Sequence, residues 1–130
     1  MVTEALVRAD FQPWLTNDPT PYFDNLPENI VWTVTGKGHP LAGRFNSKTE
    51  VIELFGRLKS RLATPIECKI TNVLTAGDWG IVEMTGHATT KGGNSYDQEL
   101  VWLCRYEGDK CVEVRFYTDT LEYQRVFDEP

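Results

Sequence analysis

The second half of the chain contains four strand-like runs, separated by short turns that carry glycine together with Asp or Asn. The runs cover about 66–75, 79–90, 96–106 and 111–119 of the 130 residues. The turns are Ala76-Gly77-Asp78, Lys91-Gly92-Gly93-Asn94 and Glu107-Gly108-Asp109. Turns of this composition allow the positive φ angles that hairpin loops need. The pattern therefore predicts a four-stranded antiparallel meander.

The first half is predicted to supply helices and one further strand. Apolar spacing predicts a helix over 3–15 capped by Thr3, a helical turn around 22–26, and a long helix over 47–62. Ser47 and Glu50 have the spacing of a capping box. A strand over 29–35, a loop over 36–46 and a short C-terminal helix over 120–127 complete the pattern. We predict one domain over 1–130 with an α+β fold, in which helices pack on one face of a curved antiparallel sheet.

Alternation along these strands predicts a cavity under the sheet. In the strand at 79–90, one face carries only small or apolar side chains, namely Gly80, Val82, Met84, Gly86 and Ala88. Such a face cannot fill the space beneath a curved sheet, so we expect a central apolar pocket. The predicted substrate-binding walls of this pocket are Trp32, Val34, Met84, Tyr96, Leu100, Trp102 and Phe116.

Composition restricts the possible partners and cofactors. The net charge of −6 and the absence of a basic stripe argue against nucleic-acid binding. Cys68, Cys104 and Cys111 lack CxxC spacing and are expected to be buried reduced thiols. No apolar run is long enough for a membrane span, so we expect a cytoplasmic protein without a membrane partner. Neither a metal-ligand spacing nor a phosphate-binding loop occurs, and no cofactor or metal is predicted.

Three segments carry a resemblance to a known family: 32–44, which leads into the long helix, then 96–102, and finally 113–120. In these segments the chain resembles the SnoaL-like and ketosteroid-isomerase-like proteins of the nuclear-transport-factor-two-like superfamily. The resemblance implies a cone-shaped α+β barrel with a deep pocket, and a homodimer formed through the outer face of the sheet. The outward polar residues Glu83, Glu99, Glu113 and Arg115 fit such an interface. The superfamily contains several kinds of enzyme and also non-catalytic binders, so the fold does not determine the reaction.

Two acidic groups that the resemblance implies for a ketosteroid isomerase are absent. Val34 stands where the Asp base is expected, and Trp102 stands where a protonated Asp would donate to the substrate oxygen. In SnoaL-type cyclases the acid/base Asp lies toward the end of the last strand, where Asp119 is the nearest match. Strand alternation places Asp119 on the outer face, and an Asp at this position is also a good N-cap for the C-terminal helix.

Other polar residues are candidates for catalysis. His39 lies in a Gly/Pro loop at the expected pocket mouth, where it is either an acid/base group or an ordinary surface histidine. Tyr117 could supply a phenol donor beside Asp119. Gln98, together with Tyr96, falls on the inward face, where each could donate a hydrogen bond to a substrate carbonyl.

These observations favour a cofactor-independent cyclase or isomerase of secondary metabolism. Its substrate would be a hydrophobic polyketide- or terpenoid-like intermediate. Because both isomerase acids are missing, catalysis by shape becomes attractive, a pericyclic reaction included. The alternative is a non-catalytic small-molecule-binding or assembly protein on the same fold. An open apolar cavity would favour the enzyme, whereas a cavity filled by side chains would favour the alternative.

Overall fold

The computed structural model describes residues 1–130. It contains one curved, unclosed sheet of six strands. The strands are β1 (Val31–Val34), β2 (Gly43–Phe45), β3 (Glu67–Ala76), β4 (Trp79–Thr89), β5 (Ser95–Glu107) and β6 (Lys110–Tyr117). Their order across the sheet is β2-β1-β6-β5-β4-β3. The predicted meander is confirmed, because β3 to β6 pair successively and antiparallel.

Two pairings at the other end of the sheet were not predicted. β1 pairs in parallel with β6, which places Trp32 opposite Val114. The segment predicted as a loop over 36–46 contains β2, which pairs antiparallel with β1 and places Phe45 opposite Trp32. The prediction of an uninterrupted loop is therefore wrong. A strand of three residues is too short to show an alternating pattern, so only the neighbouring strand identifies it.

Four α-helices and one 3₁₀ helix cover the inner face. They are α1 (Glu4–Phe11), the 3₁₀ helix (Gln12–Thr16), α2 (Thr20–Asp24), α3 (Lys48–Lys59) and α4 (Thr120–Phe127). The single helix predicted over 3–15 is divided near Pro13, whose ring removes a backbone N–H donor. The caps agree with prediction, since Thr3 Oγ1 accepts from the Leu6 N–H and Ser47 Oγ from the Glu50 N–H. No helix has both the length and the apolar character needed to cross a membrane.

The inward face of β4 has the predicted residues, and it lets α1 approach closely. Gly80, Val82, Met84, Gly86 and Ala88 are all buried. A Cβ atom added at Gly80 would lie 2.6 Å from Val7 Cγ2 of α1, a distance that real Cβ atoms do not reach. Glycine at this position therefore lets α1 pack directly on the strand.

Replacing Gly80 by alanine tests this close approach. We expect G80A to lower the free energy of unfolding by about 1–3 kcal/mol, because α1 must move outward to accept the methyl group. Gly56, within α3, is a matched control, since an added Cβ there meets nothing within 4 Å. G56A should raise stability by about 0.5–1 kcal/mol through helix propensity. Urea denaturation measures both, and an unchanged midpoint in G80A would contradict the packing.

Candidate functional site

A narrow apolar cavity lies between the inner face of the sheet and the helices. It encloses about 620 Å³ of atom-free space counted to its open mouth, of which about 60 Å³ can hold the centre of a water molecule. One water needs roughly 10–15 Å³ of such space, so the cavity holds only a few waters. All of its lining residues except Gly86 and Gln98 are hydrophobic, and none is charged. The lining consists of Trp14, Phe23, Trp32, Val34, Leu41, Val51, Leu54, Phe55, Leu58, Ile66, Cys68, Gly86, Tyr96, Gln98, Leu100, Trp102, Phe116 and Tyr123.

Most of the predicted wall residues lie at this cavity. The structure places six of them in its lining, namely Trp32, Val34, Tyr96, Leu100, Trp102 and Phe116. Met84 is not among them, although the sequence predicted it as a wall residue. Its side chain is buried in the hydrophobic core on β4, between the register partners Ile70 and Leu100 on the neighbouring strands.

Sequence reasoning missed the wall residues that come from helices and loops. The apolar stripe of α3 supplies Val51, Leu54, Phe55 and Leu58. That stripe is visible in the sequence, and it could have indicated a second wall of the cavity. Trp14, Leu41 and Tyr123 carry no such signal, because only the folded chain brings their segments to the sheet.

One end of the cavity carries two phenols, Tyr96 from β5 and Tyr123 from α4. Their rings stack with centroids 6.4 Å apart and an interplanar angle of 16°. Burial raises the pKa of Tyr96 well above 10, although the neighbouring Gln98 amide offsets this in part by hydrogen bonding. Burial also raises the pKa of Tyr123, against the smaller opposing effects of Tyr96 and Thr118. Both hydroxyl groups therefore stay protonated at neutral pH and can act as hydrogen-bond donors.

Gln98 is buried beside these phenols and holds the corner between β6 and α4. Its Oε1 accepts from Thr118 Oγ1 at 2.6 Å and from the Asp119 N–H at 3.1 Å. Its Nε2 donates to the Asp119 carbonyl at 2.9 Å. An amide carries two N–H bonds, so one donor is left over for the cavity or for Tyr96. Gln98 thereby fixes the start of the helix that brings Tyr123 over the cavity.

His39 lies outside the cavity lining, in contrast to its predicted place at the pocket mouth. Its Nδ1 accepts from the Leu41 N–H at 3.2 Å, so that Nε2 carries the proton and donates to the Thr35 carbonyl at 2.8 Å. Both ring nitrogens are therefore used by main-chain groups of its own loop. The ring packs near Tyr123, at a centroid distance of 5.7 Å. In this position His39 supports the wall that carries Tyr123.

Asp119 and Tyr117 lie on the outer side of the sheet, as strand alternation predicted. Asp119 is the N-cap of α4, and its Oδ1 accepts from the Leu121 N–H at 3.1 Å and the Glu122 N–H at 3.3 Å. Tyr117 is 42% exposed to solvent. Neither residue belongs to the cavity lining. Although the main chain of Asp119 bonds to Gln98, the side chains of Asp119 and Tyr117 do not join Gln98 and Tyr96 in the cavity.

Two indole N–H groups in the walls have no hydrogen-bond partner. Trp14 Nε1 and Trp102 Nε1 are both buried and unpaired. A buried donor left unpaired costs about 1–3 kcal/mol, so both indoles reduce the stability of the wall. The polar residues of the lining are the two phenols and Gln98, and the lining contains no carboxylate or imidazole.

Asp10, the buried carboxylate of α1, lies away from the cavity. Tyr106 Oη donates to Asp10 Oδ2 at 2.7 Å, and this bond ties α1 to β5. Burial raises the pKa of Asp10, while its hydrogen bonds to Tyr106 and Asn25 oppose that shift. Neither Asp10 nor Tyr106 lines the cavity. This pair therefore secures the fold and supplies no base to the cavity.

Comparison with solved structures identifies the fold as NTF2-like, that is, ketosteroid-isomerase-like. An NTF2-like protein from Burkholderia pseudomallei superposes with a TM-score of 0.80 at 20% identity, covering 96% of each chain. A ketosteroid-isomerase-like protein from Catenulispora acidiphila, solved with trimethylamine, gives 0.74 at 16%, covering 99% of this chain and 100% of the other. TerC, co-crystallised with polyporic acid, gives 0.77 at 15%, covering 96% and 97%. The resemblance predicted from the sequence is confirmed at the level of the fold.

The sequence itself is similar to a curated enzyme. Dimerizing cyclase phiC of Fungal sp. (strain ATCC 74256) is 29% identical over 126 residues, which cover 88% of this chain. The chain spans 55% of the length of that relative. No protein-family profile matches the chain. The cyclase match agrees with the SnoaL-like character predicted from the sequence.

The thiol of Cys68 offers a test of the cavity lining. Burial raises its pKa to about 11, from an ordinary value of 9.0. At pH 8 its thiolate fraction should therefore be about 100-fold lower than that of an exposed cysteine. We expect alkylation by iodoacetamide to be slower by that factor and to rise about tenfold per pH unit up to pH 10. Peptide mapping by mass spectrometry measures the rate, and labelling at the speed of a free cysteine would contradict this environment.

Proposed function

We propose that this protein is a cofactor-independent cyclase or isomerase that holds an uncharged, hydrophobic, carbonyl-bearing molecule in the apolar cavity. The observation that carries the proposal is the composition of that cavity, whose walls are hydrophobic and whose polar groups at the phenol end are neutral. A charged substrate would find no counter-ion there and would lose its hydration. An unsaturated molecule fits best, because its π-electrons can pack against the aromatic rings that form much of the wall.

The proposed mechanism combines shape with hydrogen-bond donation. A flexible unsaturated substrate held in a folded conformation reacts with itself more readily, and effective molarity contributes roughly 7–11 kcal/mol in the best cases. Tyr96 and Tyr123 would donate to a carbonyl oxygen and stabilise negative charge as it develops there, while the remaining N–H of Gln98 holds Tyr96. The raised pKa values of the two phenols make them donors and prevent them from acting as bases at neutral pH. This arrangement suits a cyclisation, pericyclic or carbonyl-promoted, better than a proton shuttle by a side-chain base.

The comparisons supply independent support for this reaction class. The relative with 29% identity carries the name dimerizing cyclase. TerC, with the same fold, was crystallised with polyporic acid. By analogy, we propose that the substrate is a polyketide- or terpenoid-like intermediate of secondary metabolism. The three free cysteines support a reducing compartment such as the cytoplasm.

The second candidate function is a non-catalytic binding or assembly protein on the same fold. The small free space of the cavity favours this function. Only about 60 Å³ can hold the centre of a water molecule, so a substrate would need wall side chains to move. The donor-bearing end favours the enzyme, because simple packing would not need buried hydroxyl groups there.

A turnover assay separates the two functions. A panel of uncharged polyunsaturated ketones is incubated with the protein, and liquid chromatography with mass spectrometry follows products of unchanged mass. Catalysis should accelerate ring closure, and Y123F and Y96F should each reduce the rate by about 10²–10³-fold if the phenols stabilise a developing oxyanion. Asp119→Asn is the matched control, since it keeps an N-cap oxygen outside the cavity and should change the rate by less than about tenfold.

Binding measured in parallel decides what a negative result means. If 2-acetonaphthone binds to the cavity but no ketone of the panel turns over, the non-catalytic reading replaces the enzyme. If Leu100→Trp, which fills the cavity, does not weaken binding of 2-acetonaphthone, the cavity is not the binding site. Leu74→Trp serves as the control for this variant, because Leu74 is exposed on β3.

We also propose a homodimer formed through the outer face of the sheet. Half-buried Ile81, Val101 and Leu103 on that face lie beside the ion pairs of Glu113 with Arg105, at 3.3 Å, and Arg115, at 3.2 Å. This mixture of apolar and charged groups is suitable for an interface with a polar rim. Light scattering should give twice the chain mass of 14.8 kDa, and a mass equal to one chain would remove the proposal.

A further inference from the structure

A second hollow opens on the outside of the cavity and shares part of its wall. This outer groove lies between the 3₁₀ helix and the segment after it, the end of α3, and the loop that leads into β3. Trp14, Phe55 and Ile66 line both the groove and the cavity. We call these three side chains the threshold. Phe55 and Ile66 are only partly buried, and the Trp14 and Phe55 rings meet edge to face at 5.5 Å.

The two spaces differ in size and in character. In the groove, about 270 Å³ can hold the centre of a water molecule, against about 60 Å³ in the cavity. Half of its ten lining residues are hydrophobic, and the remainder include Asn17, Lys59 and Thr64. The groove is therefore wider and more polar than the cavity behind the threshold.

We infer that the site is bipartite and that its ligand is elongated. A compact, uncharged carbonyl head occupies the cavity, and a flexible aliphatic chain passes the threshold and lies in the outer groove. This inference rests on the proposed function, because it takes the cavity as the place of the reacting group. It also explains how so small a cavity serves a larger molecule, since only the reacting part needs to be enclosed.

The position of the threshold makes it the determinant of substrate length. Trp102 meets Trp14 of the threshold at a centroid distance of 5.2 Å. At the other end of the threshold, Ile66 packs on Gly86, where an added Cβ would lie 3.1 Å from Ile66 Cγ2. Gly86 is the register partner of Gln98, so this end of the threshold lies close to the phenols. A head bound at the phenols would direct its tail past Ile66 into the groove.

A series of 2-naphthyl alkyl ketones tests this inference, with alkyl groups from methyl to heptyl. Binding is followed by quenching of tryptophan fluorescence in a W79F background, because Trp79 is the one tryptophan outside the cavity lining. Each methylene buried in the groove should tighten binding about fourfold, and the gain should stop once the groove is filled.

Ala63→Glu places a charged side chain in the groove at an exposed position of its lining. In A63E, the affinity for the heptyl ketone should fall to within about threefold of that for the methyl ketone. Ile52→Glu is the matched control, since Ile52 is exposed on α3 and lines neither space. I52E should retain the full dependence on chain length.

Each outcome has a distinct meaning. If affinity does not depend on chain length, or if A63E retains the full dependence, the bipartite site is overturned while the cavity remains a binding site. If the methyl ketone itself fails to bind to the protein, the proposed function fails as well, whatever the groove does.

Discussion

The packing of the Trp102 indole is the interaction on which the arrangement of helices on the inner face of the sheet depends. It projects from the centre of β5 and meets five aromatic rings, those of Phe11, Trp14, Tyr22, Trp32 and Phe116, at centroid distances of 4.6–5.8 Å. These rings come from α1, the 3₁₀ helix, α2, β1 and β6. One side chain thus joins the N-terminal helices to β5, β6 and β1 of the sheet. Aromatic pairs of this kind contribute roughly 0.5–1.5 kcal/mol each beyond the area that they bury.

The same residue determines the chemistry that the cavity can support. By resemblance, an acidic side chain is expected at this position in a ketosteroid isomerase, and here the position holds a large apolar ring. With Val34 in the place of the expected base, the cavity has neither of the two acids. What remains are neutral donors, two of them phenols whose pKa values are raised by burial. A catalyst of the proposed kind would depend on confinement and on donation to oxygen, because the cavity offers no carboxylate or imidazole.

The elements that could be predicted from the sequence are those with a local physical cause. The inward face of β4 followed from alternation, and the turns at Gly77 and Gly108 followed from a need for positive φ, which is 58° and 63° in the structure. The division of the first helix near Pro13 also has a local cause, although the prediction missed it. β2 could not be predicted, because its three residues become a strand only through pairing with β1. Met84 was assigned to the wall because alternation reveals which face a side chain occupies, but not how deeply its neighbours cover it.

By itself, the sequence determined the order of the longer elements, the inward faces of the meander strands and the apolar character of the space beneath them. It also determined that Asp119 is suited to cap α4, since that bond reaches only two or three residues along the chain. Only the tertiary structure decided where the polar groups of the cavity lie. Tyr96 and Tyr123 are far apart in the chain, and they meet because Gln98 fixes the corner that starts α4. His39 turns toward its own loop because Thr35 and Leu41 use both ring nitrogens. Such contacts depend on how distant segments pack, and residue periodicity carries no information about that.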